Sequence, residues 1–228
     1  MVKRSALVAV LFFCAGLLFA GDVANFVNLG FSPDSRYFMF GQYGVTEGMV
    51  AYGGLYAVDV AHDRFVPDGE KSGRYLGSLQ PGEDGRGELF NLIGDSASLA
   101  RRLQINHLLT GRVLYLLLDG QQPKPKLQFR DFQTGNDYTV TLDQFQYSSG
   151  QVSSSFSIDL TIHTAKGNTL HFTVGLPSYK RVGVENYRIR QIIVGPNNRS
   201  LVFVIEKQEK DKDGVNVRFM VDTLMLDP

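Results

Sequence analysis

Cysteine is almost absent from this chain: Cys14 is the only one. It lies inside an apolar run from Ala6 to Ala20 that follows Lys3 and Arg4. A basic start, a short apolar core and a small residue at Ala20 form the pattern of a secretory signal peptide, cleaved before Gly21. The alternative is an uncleaved anchor, but the run falls short of the roughly 20 residues a spanning helix prefers. Cleavage would leave no cysteine, which excludes disulfides and thiol chemistry from the mature chain. Histidine is scarce too, with four in all, and tryptophan is missing. No excess of one charge exists: 23 basic residues face 23 acidic ones, and loss of Lys3 and Arg4 leaves 21 against 23, a net charge of −2. That balance argues against a nucleic-acid binder, which needs a basic face. The phosphate loop G-x-x-x-x-G-K-S/T is absent, as are H-E-x-x-H, G-x-S-x-G and C-x-x-C.

What the chain does contain is a stretch that occurs twice. Phe31-Ser32-Pro33-Asp34-Ser35-Arg36-Tyr37-Phe38-Met39-Phe40 is echoed 163 positions later by Val194-Gly195-Pro196-Asn197-Asn198-Arg199-Ser200-Leu201-Val202-Phe203. At the same offset Tyr56-Ala57-Val58-Asp59 falls on Phe219-Met220-Val221-Asp222. Equal spacing between two matched blocks predicts a repeated unit of strand, tight turn, strand, hairpin and strand. The proline presets a turn, and Asp34 or Asn197 can bond back to the local backbone. The apolar runs that follow suit strands buried on both faces. The motif resembles the TolB-type, WD40-like propeller repeat, over about residues 26–68 and 188–226. Ser35 stands where that repeat has glycine, and Gly195, Asn197 and Asn198 depart further. The whole chain also resembles bacterial predicted-secreted proteins grouped as a domain of unknown function, which implies no activity.

The mature chain, 21–228, reads as one mainly β domain. A blade-like unit covers 22–68, and a glycine-punctuated loop follows over 69–87. A helix is expected over 88–109, where Leu89, Leu92, Ile93, Ala97, Ala100 and Leu103 share a face; Gly94-Asp95 is a break point. The segment 126–175 alternates apolar and polar residues, the signature of antiparallel strands with one buried face. It belongs to a central meander over 111–177, and a second blade-like unit spans 186–228. Propellers typically need about four or more blades. The expected fold is therefore two blade-like antiparallel sheets packed with a central antiparallel meander, a sandwich or an incomplete, divergent propeller, plus one helix.

Candidate sites are few. Glu209 to Gly214 resembles half of a calcium loop, but Met220 stands where the closing glutamate belongs. His163 and His171 would face each other in one hairpin register only, and no third ligand accompanies them. His62 with Asp59 and Asp63 reads as a polar turn. Adjacent Glu83 and Asp84 lack the fixed geometry that acid–base work requires. No catalytic residue, metal ligand or cofactor is therefore assigned. Tyr43, Tyr52 and Tyr56 sit among Gly41, Gly44, Gly48, Gly53 and Gly54. A glycine-rich, tyrosine-bearing hairpin can present a recognition surface, although glycines also serve twist and bulges. These observations favour an exported, periplasmic or secreted, non-enzymatic binding or scaffold protein whose partner is another envelope protein. The alternative is an envelope hydrolase whose carboxylate or histidine site assembles only in three dimensions.

Overall fold

The computed structural model describes residues 21–80, 82–147, 150–211 and 214–226. The expected signal segment, 1–20, lies outside the described residues. The protein is mainly β, with three antiparallel sheets, two helices and no closed barrel, consistent with a sandwich or an incomplete propeller. The first sheet is a meander of β1 (Asn25–Phe31), β2 (Tyr37–Val45), β3 (Ala51–Asp59) and β4 (Arg64–Arg74). Helices α1 (Arg86–Asp95) and α2 (Ala97–Arg102) follow, then β5 (Arg112–Leu116). The second sheet holds β6 (Lys126–Arg130), β7 (Asp137–Tyr147), β8 (Ser153–His163), β9 (Thr169–Val174) and β10 (Arg181–Val182). The third runs β13 (Gly214–Met225), β12 (Ser200–Asp211), β11 (Val184–Val194), β5.

The third sheet is the middle layer. Along β12, Leu201, Phe203 and Ile205 join the core shared with the second sheet. The alternate residues Val202 and Val204 join the core shared with the first sheet. A strand buried on both faces has no polar alternation, which explains the continuous apolar run. The far face of the first sheet buries Met39, Leu55 and Ala57 against Leu92, Leu99 and Leu103 of the helical segment. The far face of the second sheet carries exposed Asp159, His163, His171 and Thr173 and meets solvent. The layers are therefore second sheet, third sheet, first sheet, helices.

Two glutamines tie the layers at strand edges that lack a neighbour. Gln42 accepts from the Phe219 N–H at 2.8 Å and donates to the Phe219 carbonyl at 3.3 Å. Gln144 does the same for Tyr187 of β11, at 2.8 and 3.1 Å. Each amide stands in for a missing strand and satisfies one donor and one acceptor.

The two turns of the repeated unit are built alike. Ser35 and Asn198 both adopt the left-handed region, φ 58° and 55°. Ser35 and Asn198 donate back to Ser32 and Gly195, and Arg36 and Arg199 donate to the side chains of Asp34 and Asn197. Phe40 and Phe203 are both buried. The Ser35 hydroxyl, where glycine was the expected residue, accepts from the Asn197 N–H at 3.2 Å, so the two turns dock on each other. The expected match of Asp59 with Asp222 fails. Asp59 lies opposite Tyr37, whereas Asp222 lies opposite Phe203. The third strand has slipped by three residues, and an odd slip turns the aspartate to the other face. The cause is hairpin length: β2 stops pairing at Val45, while β12 pairs on to Asp211.

Three further elements differ from expectation. The helix is two short ones, broken at Ser96, and ends at Arg102 rather than near 109. Strand β4 runs to Arg74, because Glu70 to Arg74 pair with β3 despite the glycine-rich composition. Strand β5 leaves the expected meander and joins the third sheet through β11.

Candidate functional site

The tyrosine hairpin is where chemistry collects. Strands β2 and β3 pair so that Gly44 faces Tyr52 and Gln42 faces Gly54. On the side toward the third sheet, a Cβ at Gly44 would meet the Tyr52 hydroxyl at 2.3 Å, and one at Gly54 the Tyr56 hydroxyl at 2.7 Å. These glycines make room for the tyrosine rings. On the other side, a Cβ at Gly41 would meet Leu89 at 2.5 Å and one at Gly73 would meet Glu88 at 2.1 Å. Those glycines let α1 lie close against the sheet. The glycine content is thus explained by approach on both faces rather than by turns.

The structure brings together only two of the three expected tyrosines. Tyr52 and Tyr56 line a cleft of about 450 Å³ with Gln42, Ser72, Arg74 and Arg218. Tyr43 points to the helical side, where the Arg86 guanidinium lies 5.8 Å from its ring. Arg218, from a strand more than 160 positions away in sequence, sits 4.4 Å over the Tyr52 ring and pairs with the Asp22 carboxylate. The Tyr52 hydroxyl reaches Asp22 Oδ1 at 3.3 Å. Burial pushes the Tyr52 and Tyr56 phenols up, so both remain neutral hydrogen-bonding groups. Gln42 donates to the Tyr56 hydroxyl at 3.2 Å. Arg74 is exposed at the rim and has no ion-pair partner among the described residues.

A second polar cluster lies where all three sheets meet. Asp222 is 7% exposed, and its Oδ2 has no hydrogen-bond partner among the described residues. Burial and then the Asp63 carboxylate push the Asp222 carboxyl up to about 7, while Arg181 pulls it down. Asp63 accepts from the Thr223 N–H at 2.7 Å, and burial raises its carboxyl as well. The Arg181 guanidinium stacks 5.0 Å from both the Phe156 and Tyr179 rings. Sequence placed Asp63 in a turn and Asp222 in a strand but gave no sign that they approach.

The remaining candidates are held apart. His163 faces Thr169 and His171 faces Thr161, so the register separates the two histidines. His62 Nδ1 lies 2.9 Å from Asp59 Oδ1, with Arg36 3.3 Å from the other oxygen. Burial alone would raise Asp59, but these partners outweigh it and hold the carboxyl below its usual range. Asp84 caps the backbone of Arg86 at 2.9 Å, and Glu83 accepts from the Gln80 N–H at 2.8 Å, so each serves its local turn. The calcium-like stretch falls partly outside the described residues, at Lys212 and Asp213. Among the described residues no group of three His, Cys, Asp or Glu side chains is placed to hold a metal ion. No described helix is long and apolar enough to cross a membrane.

Comparison with family models matches residues 39–224 to the family described as predicted secreted protein (DUF2259). No curated protein and no solved structure matches the chain. The chain belongs to that family of predicted secreted proteins, which supports export.

Proposed function

We propose that this member of a predicted secreted family is a non-enzymatic binding protein of the bacterial cell envelope. Its ligand surface is the cleft between the first and third sheets. One observation carries this reading: two neutral tyrosine hydroxyls, an arginine at the rim and a glycine-lined floor converge on about 450 Å³ of open space. Such a lining offers several hydrogen-bonding groups and one uncompensated positive charge to a small polar ligand or to a polar loop of an envelope partner. The stacked antiparallel sheets support a scaffold role, because rigid sheets hold the cleft residues in place.

The hydrolase reading is weaker on the same geometry. The carboxylate with the most shifted titration, Asp222, is buried behind Phe203 and Gly175 and does not line the cleft. A general acid needs reach to its substrate.

The test uses purified exported protein and a panel of neutral and acidic sugars and dicarboxylates, read by calorimetry. Ser72 is exposed at the rim, so Ser72→Trp fills the cleft without entering the core. Binding that disappears in Ser72→Trp supports the proposal. Binding that persists in that variant, or turnover of any panel member, sinks it.

A further inference from the structure

A different cavity concentrates positive charge. It has a volume of about 770 Å³ and lies at the opposite side of the first sheet, where that sheet meets α2. Three arginines line it, each from a different element: Arg36 before β2, Arg64 at the start of β4 and Arg102 at the end of α2. The clustering stands out in a chain that carries 23 basic and 23 acidic residues and has no net charge.

The local carboxylates neutralise it only in part: Asp59 and Asp68 each pair with one of the three arginines. Asp59 is the one acid in the lining, and its two oxygens are already engaged by Arg36 and His62. Arg102 donates to the Pro67 carbonyl at 3.1 Å and lies 4.0 Å from Asp68, a carboxylate that is 81% exposed. Arg64 has no ion-pair partner among the described residues. Tyr37, Val66 and Leu103 supply an apolar wall, and the Arg36 guanidinium rests 5.1 Å from the Tyr37 ring.

We propose that this cavity is an oxyanion site that takes a phosphate group. Guanidinium groups offer planar, paired donors that match phosphate oxygens, and several around one cavity suit a doubly charged group. Asp59 acts as a positioning residue, holding Arg36 in the lining through its ion pair. The proposal is independent of the tyrosine cleft, because the two cavities share no residue.

The phosphate can come from a soluble ester or from a lipid headgroup, so the experiment has two arms. In the first, inorganic phosphate is titrated into the exported protein and amide resonances are followed. In the second, vesicles of phosphatidylcholine with and without phosphatidic acid are tested by co-sedimentation. The expected result is saturable shifts at Tyr37, Arg64 and Arg102, or co-sedimentation only with phosphatidic acid. The double variant Arg64→Gln, Arg102→Gln should weaken the observed binding by about tenfold or more. Both side chains are exposed, so the fold should persist, which a urea midpoint verifies. Ser72→Trp should leave this binding unchanged. No saturable response in either arm, or undiminished binding by a folded double variant, overturns the proposal.

Discussion

Replacing Gln42 by leucine should cost far more than its single amide suggests. The side chain is 6% exposed and makes two hydrogen bonds with the backbone of Phe219, both buried. Leucine fills a similar volume, so packing changes little. What changes is polar satisfaction: one buried N–H and one buried C=O lose their partners. Each unsatisfied group costs about 1–3 kcal/mol, so the variant should lose about 2–6 kcal/mol. The internal control is Gln144→Leu. It removes the same pair of bonds from Tyr187, but Gln144 is exposed and water can replace it. That loss should stay at about 1 kcal/mol. Urea unfolding of both variants gives the comparison through the midpoint at constant slope. Equal and small losses in the two variants would refute the idea that Gln42 substitutes for a missing strand.

Phe40→Ala and Phe203→Ala should each destabilise by about 3–5 kcal/mol, since both rings are fully packed between sheets; a loss under ~1 kcal/mol in either would contradict the two-sided core. Asp222 gives a pH signature. Burial, and then the Asp63 carboxylate, push its folded carboxyl up to about 7, against about 3.9 unfolded, so the folded state holds the proton more tightly. The resulting stability is full below about pH 4 and is lost as pH rises toward 7. Asp222→Asn should flatten that decline in urea midpoints measured across the window, and an unchanged slope would remove the assignment. Limited proteolysis should cut first between Tyr75 and Gln80, where Leu76 is fully exposed and regular pairing has ended, and first cuts within β8 would show the core misjudged.

Much of the frame was legible because its signals are local. The alternation of Tyr138, Val140 and Leu142, and of Phe156, Ile158 and Leu160, marked strands of the second sheet directly. The repeated turn was legible because proline and an Asx residue impose it within a few positions. What failed depends on partners distant in the chain. The apolar run at Val113 to Leu118 reads as a buried strand, but nothing in it says that the strand joins β11. Asp222 aligned with Asp59 without a gap, yet hairpin length, not alignment, fixes register. Of the tyrosine trio, the pairing register separates Tyr43, opposite Gly53, from Tyr52 and Tyr56 on the other face, and that register depends on where the hairpin turns. Arg218 and Asp22 had no local mark at all, since each matters only through the other and the Tyr52 ring.

The central claim is that ligand binds between the first and third sheets without being transformed. Amide chemical-shift mapping of the exported protein against acidic sugars and dicarboxylates tests it most directly. The account predicts saturable shifts confined to Gly53, Gly54, Ser72, Gly73, Arg74 and Arg218, with the ligand recovered intact. Shifts centred on Asp63 and Asp222, or products appearing in the ligand spectrum, would contradict it.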